Sequence, residues 1–335
     1  MRWSTPKLDT RNFLMRVTVT GGTGFLGGFL VRDLLARGTT VRVLARPSPR
    51  SEGLRKLGVE IVHGDLNDAG SLARAVTGAE VVYHLAAKVG SAPYKQYFEV
   101  NVAGTEGVLA ACAQQGVGQF VYASSLAVYG PIEPGECIDE RTPFDSKPEL
   151  RDPYAQSKIA ADQLVSSFAR RTGLPTVILR EGIIFGPGRP LPLGMFSFPM
   201  SNTNIVFGKP EHRFPLNYVE NIVDAMQAAA SGNGLREYNV LDDDDLTLGR
   251  YHQLKSAADR TGTRFISAWP LYLASPFAEA LRGVVPMGDT RLSRHQLRRA
   301  LQDRPYDTSR IREQTGWRPR VPLDAAIQRT LNARP

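Results

Sequence analysis

The chain has 335 residues, which suits two domains or one large α/β unit with an appended lobe. With 42% apolar and 22% charged residues it can bury a core, which excludes a disordered, collagenous or disulfide-stapled secreted protein. The formal charge is +8, and residues 291–320 hold nine arginines against Asp303, Asp307 and Glu313, so most of the excess lies there. Such a run suits an anionic substrate, membrane surface or nucleic acid, while its plainest reading is a solvated helix face. No zinc-finger spacing or RNA-binding aromatic motif accompanies it, so no nucleic-acid partner is expected.

Residues 1–14 show no period and read as a loose extension, and their basic start lacks the apolar core of a secretory signal. Val17 and Val19 alternate with polar residues ahead of GGTGFLGG, and Phe29, Leu30, Leu34 and Leu35 follow at helical spacing until Gly38. The cycle repeats. Strands are expected at 41–45, 61–65, 81–87, 119–125 and 175–180, with helices at 71–76, 102–115 and from Asp152 to about Arg171. Nearly continuous apolar strands alternating with helices predict an α/β fold with a doubly wound parallel sheet. Residues 181–215 lack a sustained period, and a helix at 218–230 and a strand at 236–241 return to the sheet. Cys112 and Cys137 have neither metal-ligand nor disulfide spacing, and no apolar run reaches the length of a membrane span. A cytoplasmic protein without a metal is expected.

Gly21, Gly24 and Gly27 fall between the first strand and the first helix. Glycines there let the backbone turn tightly and approach a pyrophosphate, while the helix N-terminus offers free N–H groups. At the first strand–helix junction of a βαβ run, the triplet predicts a dinucleotide site, with close helix–strand packing as the plainer alternative. The end of the second strand reads VRVLARPSPR, with Arg46 where an acid would favour NAD, so NADP is the expected cofactor and NAD remains possible. Asp65 ends the third strand, where it can accept from an adenine amino group or form a turn.

Tyr154 and Lys158 are four residues apart and share one helix face, with Asp152 as N-cap and Pro153 in the first turn. An ammonium beside a phenol favours the phenolate, which brings the tyrosine toward acid–base chemistry at neutral pH. A strand-end serine in YASSLAVYG can hold a substrate oxygen nearby.

The chain resembles an extended short-chain dehydrogenase/reductase, of the NAD-dependent epimerase/dehydratase superfamily. The resemblance covers residue 15 to about 330 and rests on VTGGTGFLG (19–27), GDL (64–66), HLAA (84–87), NVAGT (101–105), SSLAVYG (124–130), YAQSK (154–158), GPG (186–188) and GWRPRVPL (316–323). It implies a Rossmann domain over 15–180, joined by 216–241, and a smaller substrate-binding lobe over 181–335. It implies a cofactor held by Gly21, Thr23, Gly24, Phe25, Leu26, Gly27, Arg46, Asp65, Leu66, Ala86, Ala87, Tyr154 and Lys158. Tyr154 is then the general acid/base, Lys158 binds the nicotinamide ribose, Ser125 is the catalytic serine and Asn101 supports the site. A homodimer formed through helices of the sheet domain is expected.

Three departures narrow the chemistry. Leu126 and Ala127 stand where sugar-nucleotide dehydratases carry an Asp-Glu pair, Ile183 replaces the asparagine of R-x-x-N in epimerases, and Arg46 replaces the acid of NAD-retaining enzymes. The remainder resembles the branch of dihydroflavonol reductases and 3β-hydroxysteroid dehydrogenases. The expected reaction is hydride transfer between NADP(H) and a ketone or secondary alcohol of a small hydrophobic substrate. A redox-neutral epimerase with retained NAD and a non-catalytic dinucleotide sensor are the rivals. Met195, Phe196, Phe198, Met200 and Phe207 either line an apolar substrate pocket or pack the small lobe. The run Asp242–Asp245 reads as a solvated turn ahead of a helix capped by Thr247. Residues 270–287 read as an interfacial helix, a small-lobe helix or a dimer contact, with membrane-surface contact not favoured.

Overall fold

Seven strands pair side by side, every neighbouring pair parallel. They are β1 (Arg16–Thr20), β2 (Thr40–Ala45), β3 (Glu60–His63), β4 (Val81–His84), β5 (Gln119–Ala123), β6 (Thr176–Glu181) and, later in the chain, β11 (Leu235–Val240). Their order is β3-β2-β1-β4-β5-β6-β11. The computed structural model describes residues 15–90, 92–189, 191–193, 197–267, 269, 273 and 294–333. Of the sequence expectations, the 1–14 extension, Met195, Phe196, Arg291 and all of 270–287 except Leu273 lie outside the described residues.

Helices cover both sheet faces, as buried strand residues pointing alternately up and down require. On one face α1 (Phe25–Ala36), α2 (Pro49–Lys56) and α7 (Val219–Ala229) place Leu30, Val31, Leu34, Leu54, Ile222 and Met226 against Val17, Val19, Val43 and Leu179. On the other, α3 (Ala69–Val76), α5 (Gly104–Gln114) and α6 (Pro153–Thr172) bring Leu72, Val108, Leu109 and Val165 onto Val82, Phe120 and Ile178. The short α4 (Tyr94–Phe98) runs through one π-helical turn, Glu99–Ala103, into α5. The fold is doubly wound, and the order in which successive strands are added reverses between β1 and β4, where such sheets open a crevice at their C-terminal edge.

Residues 181–215 are more regular than the sequence suggests. They contain β7 (Ile183–Phe185), β8 (Ser197–Met200) and β9 (Thr203–Phe207), and β10 (Leu216–Tyr218) follows and pairs with β7. β9 joins β8 and β12 (Gly262–Ile266) in a small sheet. These strands are three to five residues long and β8 contains Pro199, so no period of two accumulates. α8 (Leu248–Asp259) is capped by Thr247, whose hydroxyl accepts from Arg250 N at 3.2 Å. Phe185, Phe214, Tyr218 and Tyr251 form this lobe's core with Ala326 and Ile327 of α11 (Leu323–Asn332).

Two charge expectations change. Asp242 is no solvated turn residue: it is buried and accepts from Tyr218 N, Asn217 Nδ2 and Asn221 Nδ2, while Asp244 pairs with Arg312 and Thr308. The arginine-rich stretch is not a uniformly solvated face either. Arg299, on α9 (Arg294–Leu301), is buried and donates to Tyr129 O and Leu126 O. Arg298 pairs with Glu133, Arg312 of α10 (Ser309–Thr315) with Asp244, and Arg320 with Asp224. Much of the excess charge is committed to intramolecular partners.

A deeply buried ion pair crosses from β6 to α6. Arg180 Nε and Nη2 each donate to Asp162 at 3.0 Å, and Ser124 Oγ donates to the same carboxylate at 2.6 Å. Both side chains are almost fully buried. Removing one partner strands the other charge away from water, so Asp162→Ala is expected to cost about 3–5 kcal/mol. Urea unfolding followed by circular dichroism measures it, and a loss under about 1 kcal/mol would contradict the assignment.

Candidate active site

The glycine loop leaves β1 at the sheet's C-terminal edge. Gly21 has φ +75°, and a Cβ there would lie 2.6 Å from Ala86 N, so β1 and the loop after β4 touch backbone to backbone. A Cβ on Gly27 would lie 2.2 Å from Gly21 O. Gly24 is the N-cap of α1 and provides no side-chain cap, which leaves the first N–H groups of the helix free of one. A cradle that a single methyl would fill, at an uncapped helix N-terminus, fits a pyrophosphate. Thr23 is half-buried in the loop, while Phe25 and Leu26 turn their side chains toward the second lobe, with the Arg189 guanidinium 5.3 Å from the Phe25 ring.

Arg46 follows β2 with its side chain 83% exposed, and its Nε lies 4.0 Å from Asp65 Oδ2. Asp65 Oδ1 also accepts from Asn67 N at 3.1 Å, so the carboxylate shapes its own turn. Leu66 packs against Gly104, where a Cβ would lie 2.9 Å from it. Ala86 N donates to Thr20 Oγ1 at 3.4 Å. Ala87, next to it, is half-buried. The expected cofactor residues thus gather along the ends of β1 to β4.

Tyr154 and Lys158 lie on the first turns of α6, which begins where Asp152 accepts from Ala155 N at 3.0 Å. The adjacent serines diverge. Ser124 faces inward to Asp162, whereas Ser125 makes a side-chain hydrogen bond with Tyr154 and accepts from Ala127 N at 3.2 Å. Lys158 is buried and donates to Ala123 O at 2.6 Å and to Tyr122 OH at 3.3 Å. The ammonium therefore does not hold the phenol low, contrary to the sequence expectation. Burial and then the nearby Glu181 carboxylate raise Tyr154 above its ordinary value, and the Ser125 hydrogen bond only partly offsets them.

Asn101 ties the segment after β4 to α6. Its Oδ1 accepts from Lys88 N at 2.6 Å, and its Nδ2 donates to Lys88 O at 3.2 Å and Ser157 Oγ at 2.8 Å. Ser157 Oγ donates in turn to Tyr154 O at 2.7 Å. The π-helical turn that carries Asn101 re-aims it off the regular helix, a device common at functional sites.

Sequence reasoning missed two members of this site. His84 is fully buried and bridges Thr20 Oγ1 (2.6 Å) and Thr105 Oγ1 (2.9 Å), and burial lowers its pKa to about 3, so it is neutral. Its HLAA motif was the only signal. Glu181 ends β6, and its Oε2 is out of solvent with no hydrogen-bond partner among the described residues. Burial raises its carboxyl and lowers the Lys158 ammonium, and the attraction between the two opposes both shifts.

Residues 17–240 match the model of the NAD dependent epimerase/dehydratase family. The chain belongs to that family. Within it, the 2-alkyl-3-oxoalkanoate reductase of Stenotrophomonas maltophilia (strain K279a) is 40% identical over 179 residues, 52% of this chain and 52% of that protein. The match therefore spans about half the length of each. The 3beta-hydroxysteroid-dehydrogenase/decarboxylase isoform 1 of Arabidopsis thaliana is 28% identical over 94% of this chain and 78% of its own length. Among solved structures, gox2253 superposes with TM-score 0.79 at 24% identity, covering 95% of this chain and 97% of that one. UDP-glucose 4-epimerase from Thermus thermophilus, in complex with NAD, does so with TM-score 0.69 at 26% identity, covering 95% and 98%.

The epimerase/dehydratase family is one of nicotinamide-dependent enzymes, and the glycine cradle fits such a cofactor. Among the described residues, no group of three or more His, Cys, Asp or Glu side chains could hold a metal, and no helix is long and apolar enough to cross a membrane. The cradle gives a direct test. Gly27→Ala should cost about 1–3 kcal/mol through overpacking against Gly21 O and weaken nucleotide binding by about tenfold or more. Fluorescence titration on protein shown folded by circular dichroism measures the second effect, and unchanged affinity would refute the cradle.

Proposed function

We propose that this chain is an NADP(H)-dependent reductase or dehydrogenase acting on a ketone or secondary alcohol of a small hydrophobic substrate. The observation that carries this reading is the placement of Ser125 beside a half-buried Tyr154, one helical turn from Lys158 and at the sheet edge that carries the glycine cradle. The cofactor supplies the hydride. Tyr154, kept protonated at neutral pH by burial, donates a proton to the carbonyl oxygen as charge develops there. Ser125 offers that oxygen a second hydrogen bond. Lys158 would hold the nicotinamide ribose, and Gly21, Gly24 and Gly27 the pyrophosphate.

Arg46, exposed at the end of β2 with no acid beside it on that strand, supports NADP over NAD, since a guanidinium matches a 2′-phosphate. Apolar side chains support a hydrophobic substrate. Val89 follows β4, Ile183 lies two residues beyond β6, and Tyr94 bonds Gln156 beside Tyr154; all three are exposed near the C-terminal edge of the sheet. Phe198 and Met200 on β8 are exposed too, though the Phe198 ring lies 6.2 Å from that of Phe207, so part of this group packs the lobe itself. The reductase and hydroxysteroid dehydrogenase relatives favour the same class. Leu126, Ala127 and Ile183 lack the groups a sugar-nucleotide dehydratase or epimerase uses.

Tyr154→Phe is expected to lower kcat by about 10²–10⁴-fold while leaving NADPH affinity within a factor of about two, because the hydroxyl acts on substrate. Steady-state kinetics with a panel of hydrophobic ketones, paired with NADPH titration, measures both. Near-normal turnover would sink the assignment. Arg46→Ala is expected to raise the Kd for NADPH about tenfold and leave that for NADH nearly unchanged. Equal losses for both would remove the argument for NADP, and stoichiometric NAD released from freshly purified, denatured protein would favour the epimerase reading instead.

A further inference from the structure

Glu181 has no role in the chemistry derived so far, and its placement is costly. It is the last residue of β6, at the sheet edge where Ser125, Tyr154 and Lys158 converge. The groups facing it come from three elements. Lys158 and Tyr154 approach from α6, Tyr122 from β5, and Arg189 from the loop after β7, and each either acts on Glu181 electrostatically or is acted on by it. Behind it, Arg180 and Asp162 satisfy each other. On the β11 side its paired residue is Val240, and the neighbouring acid, Asp242, is occupied by Asn217, Asn221 and Tyr218 N. Lys158, a buried cation, gives two of its three donors to Ala123 O and Tyr122 OH, and among the described residues no ion pair joins it to Glu181. Glu181 Oε2 is left buried and unpartnered.

A buried carboxyl oxygen without a partner is expensive whether charged or neutral, and such a group adjusts its proton to the charge around it. In the reading proposed above, on which this inference rests, the neighbouring ligand changes its own charge: an oxidised nicotinamide ring is cationic and a reduced one is neutral. We propose that Glu181 reads this difference, giving up its proton when oxidised cofactor binds and keeping it when reduced cofactor binds. The proton goes to solvent, and no bond of the cofactor is altered. The residue is then a device that ties cofactor preference to pH: alkaline conditions favour retention of the oxidised form, while affinity for the reduced form does not follow.

The sign follows from the free protein, where burial pushes Glu181 up to about 8. Near neutrality the free carboxyl is mostly protonated, so oxidised cofactor must expel that proton to gain the ion pair. Linkage then requires its affinity to rise with pH up to about 8 and to level off beyond. Lys158 titrates in the same region and is the rival source of a proton, since a cationic ring also opposes an ammonium.

Isothermal titration calorimetry of NADP⁺ and NADPH with the full chain, at pH 7.0 in phosphate and in Tris buffer, counts the protons released on binding. The 2′-phosphate is common to both nucleotides and cancels in the comparison. The expected result for the wild-type protein is release of about one proton with NADP⁺ and close to none with NADPH. Its Kd for NADP⁺ should tighten by up to about tenfold per pH unit between pH 7 and 8, and that for NADPH should stay flat. Glu181→Gln, close to isosteric, should abolish both the proton release and the slope. Equal proton counts for the two nucleotides on wild-type protein overturn the proposal without needing the variant. Release that persists in Glu181→Gln assigns the proton to Lys158 and also overturns it. Failure of wild-type protein to bind NADP(H) or NAD(H) at all would instead overturn the nicotinamide reading itself.

Discussion

One buried string of hydrogen bonds ties the nucleotide cradle to the reacting centre. Ala86 N donates to Thr20 Oγ1, at the end of β1. Thr20 meets His84 Nδ1, and His84 Nε2 meets Thr105 Oγ1. Thr105 donates its only hydroxyl proton to Asn101 O at 2.7 Å, so it must accept from His84. Neutral His84 therefore carries its proton on Nε2, and its Nδ1 accepts from Thr20. Asn101 then reaches Ser157, and Ser157 reaches the Tyr154 carbonyl. Each donor and acceptor has one available role, so the string has one arrangement. A fixed tautomer in the interior thus sets the relative position of β1, β4, α5 and α6 around the site.

The same region concentrates charge where water is scarce. Arg180 and Asp162 cancel each other with bidentate geometry and a third donor from Ser124. Lys158 and Glu181 do not, because the ammonium is turned toward Ala123 O and the Tyr122 hydroxyl. The two pairs sit one residue apart on β6 yet behave oppositely. One is a rigid tie between strand and helix, and the other is an unspent electrostatic potential beside the phenol.

The legible part of this architecture was the part written in short-range spacing. The glycines at a strand–helix junction, the four-residue step from Tyr154 to Lys158, the Asp152 cap and the apolar strand runs each encode local geometry. The family's motifs supplied Ser125 and Asn101. What stayed hidden depends on partners far along the chain. Glu181 is one glutamate at a strand end, and nothing adjacent to it reveals that it will lie beside Lys158. Asp242 reads as one of four solvent-facing acids until Asn217 and Asn221 fold over it. The phenol's position above its ordinary value required knowing where the ammonium points. Three- to five-residue strands such as β7, β8 and β9 are too short to show alternation.

Arg299 gives the molecule a direction in time. Its guanidinium donates to the carbonyls of Leu126 and Tyr129, the backbone directly after Ser125, and Arg151 donates to Ala127 O and Tyr129 O in the same turn. The first six strands of the sheet have all been synthesised once residue 181 leaves the ribosome, and the cradle's residues well before that. The turn that aims Ser125 still lacks one of its two arginine braces for more than a hundred further residues. A nascent chain can therefore have the glycine cradle and these six strands complete while the turn after Ser125 still waits for one of its two braces.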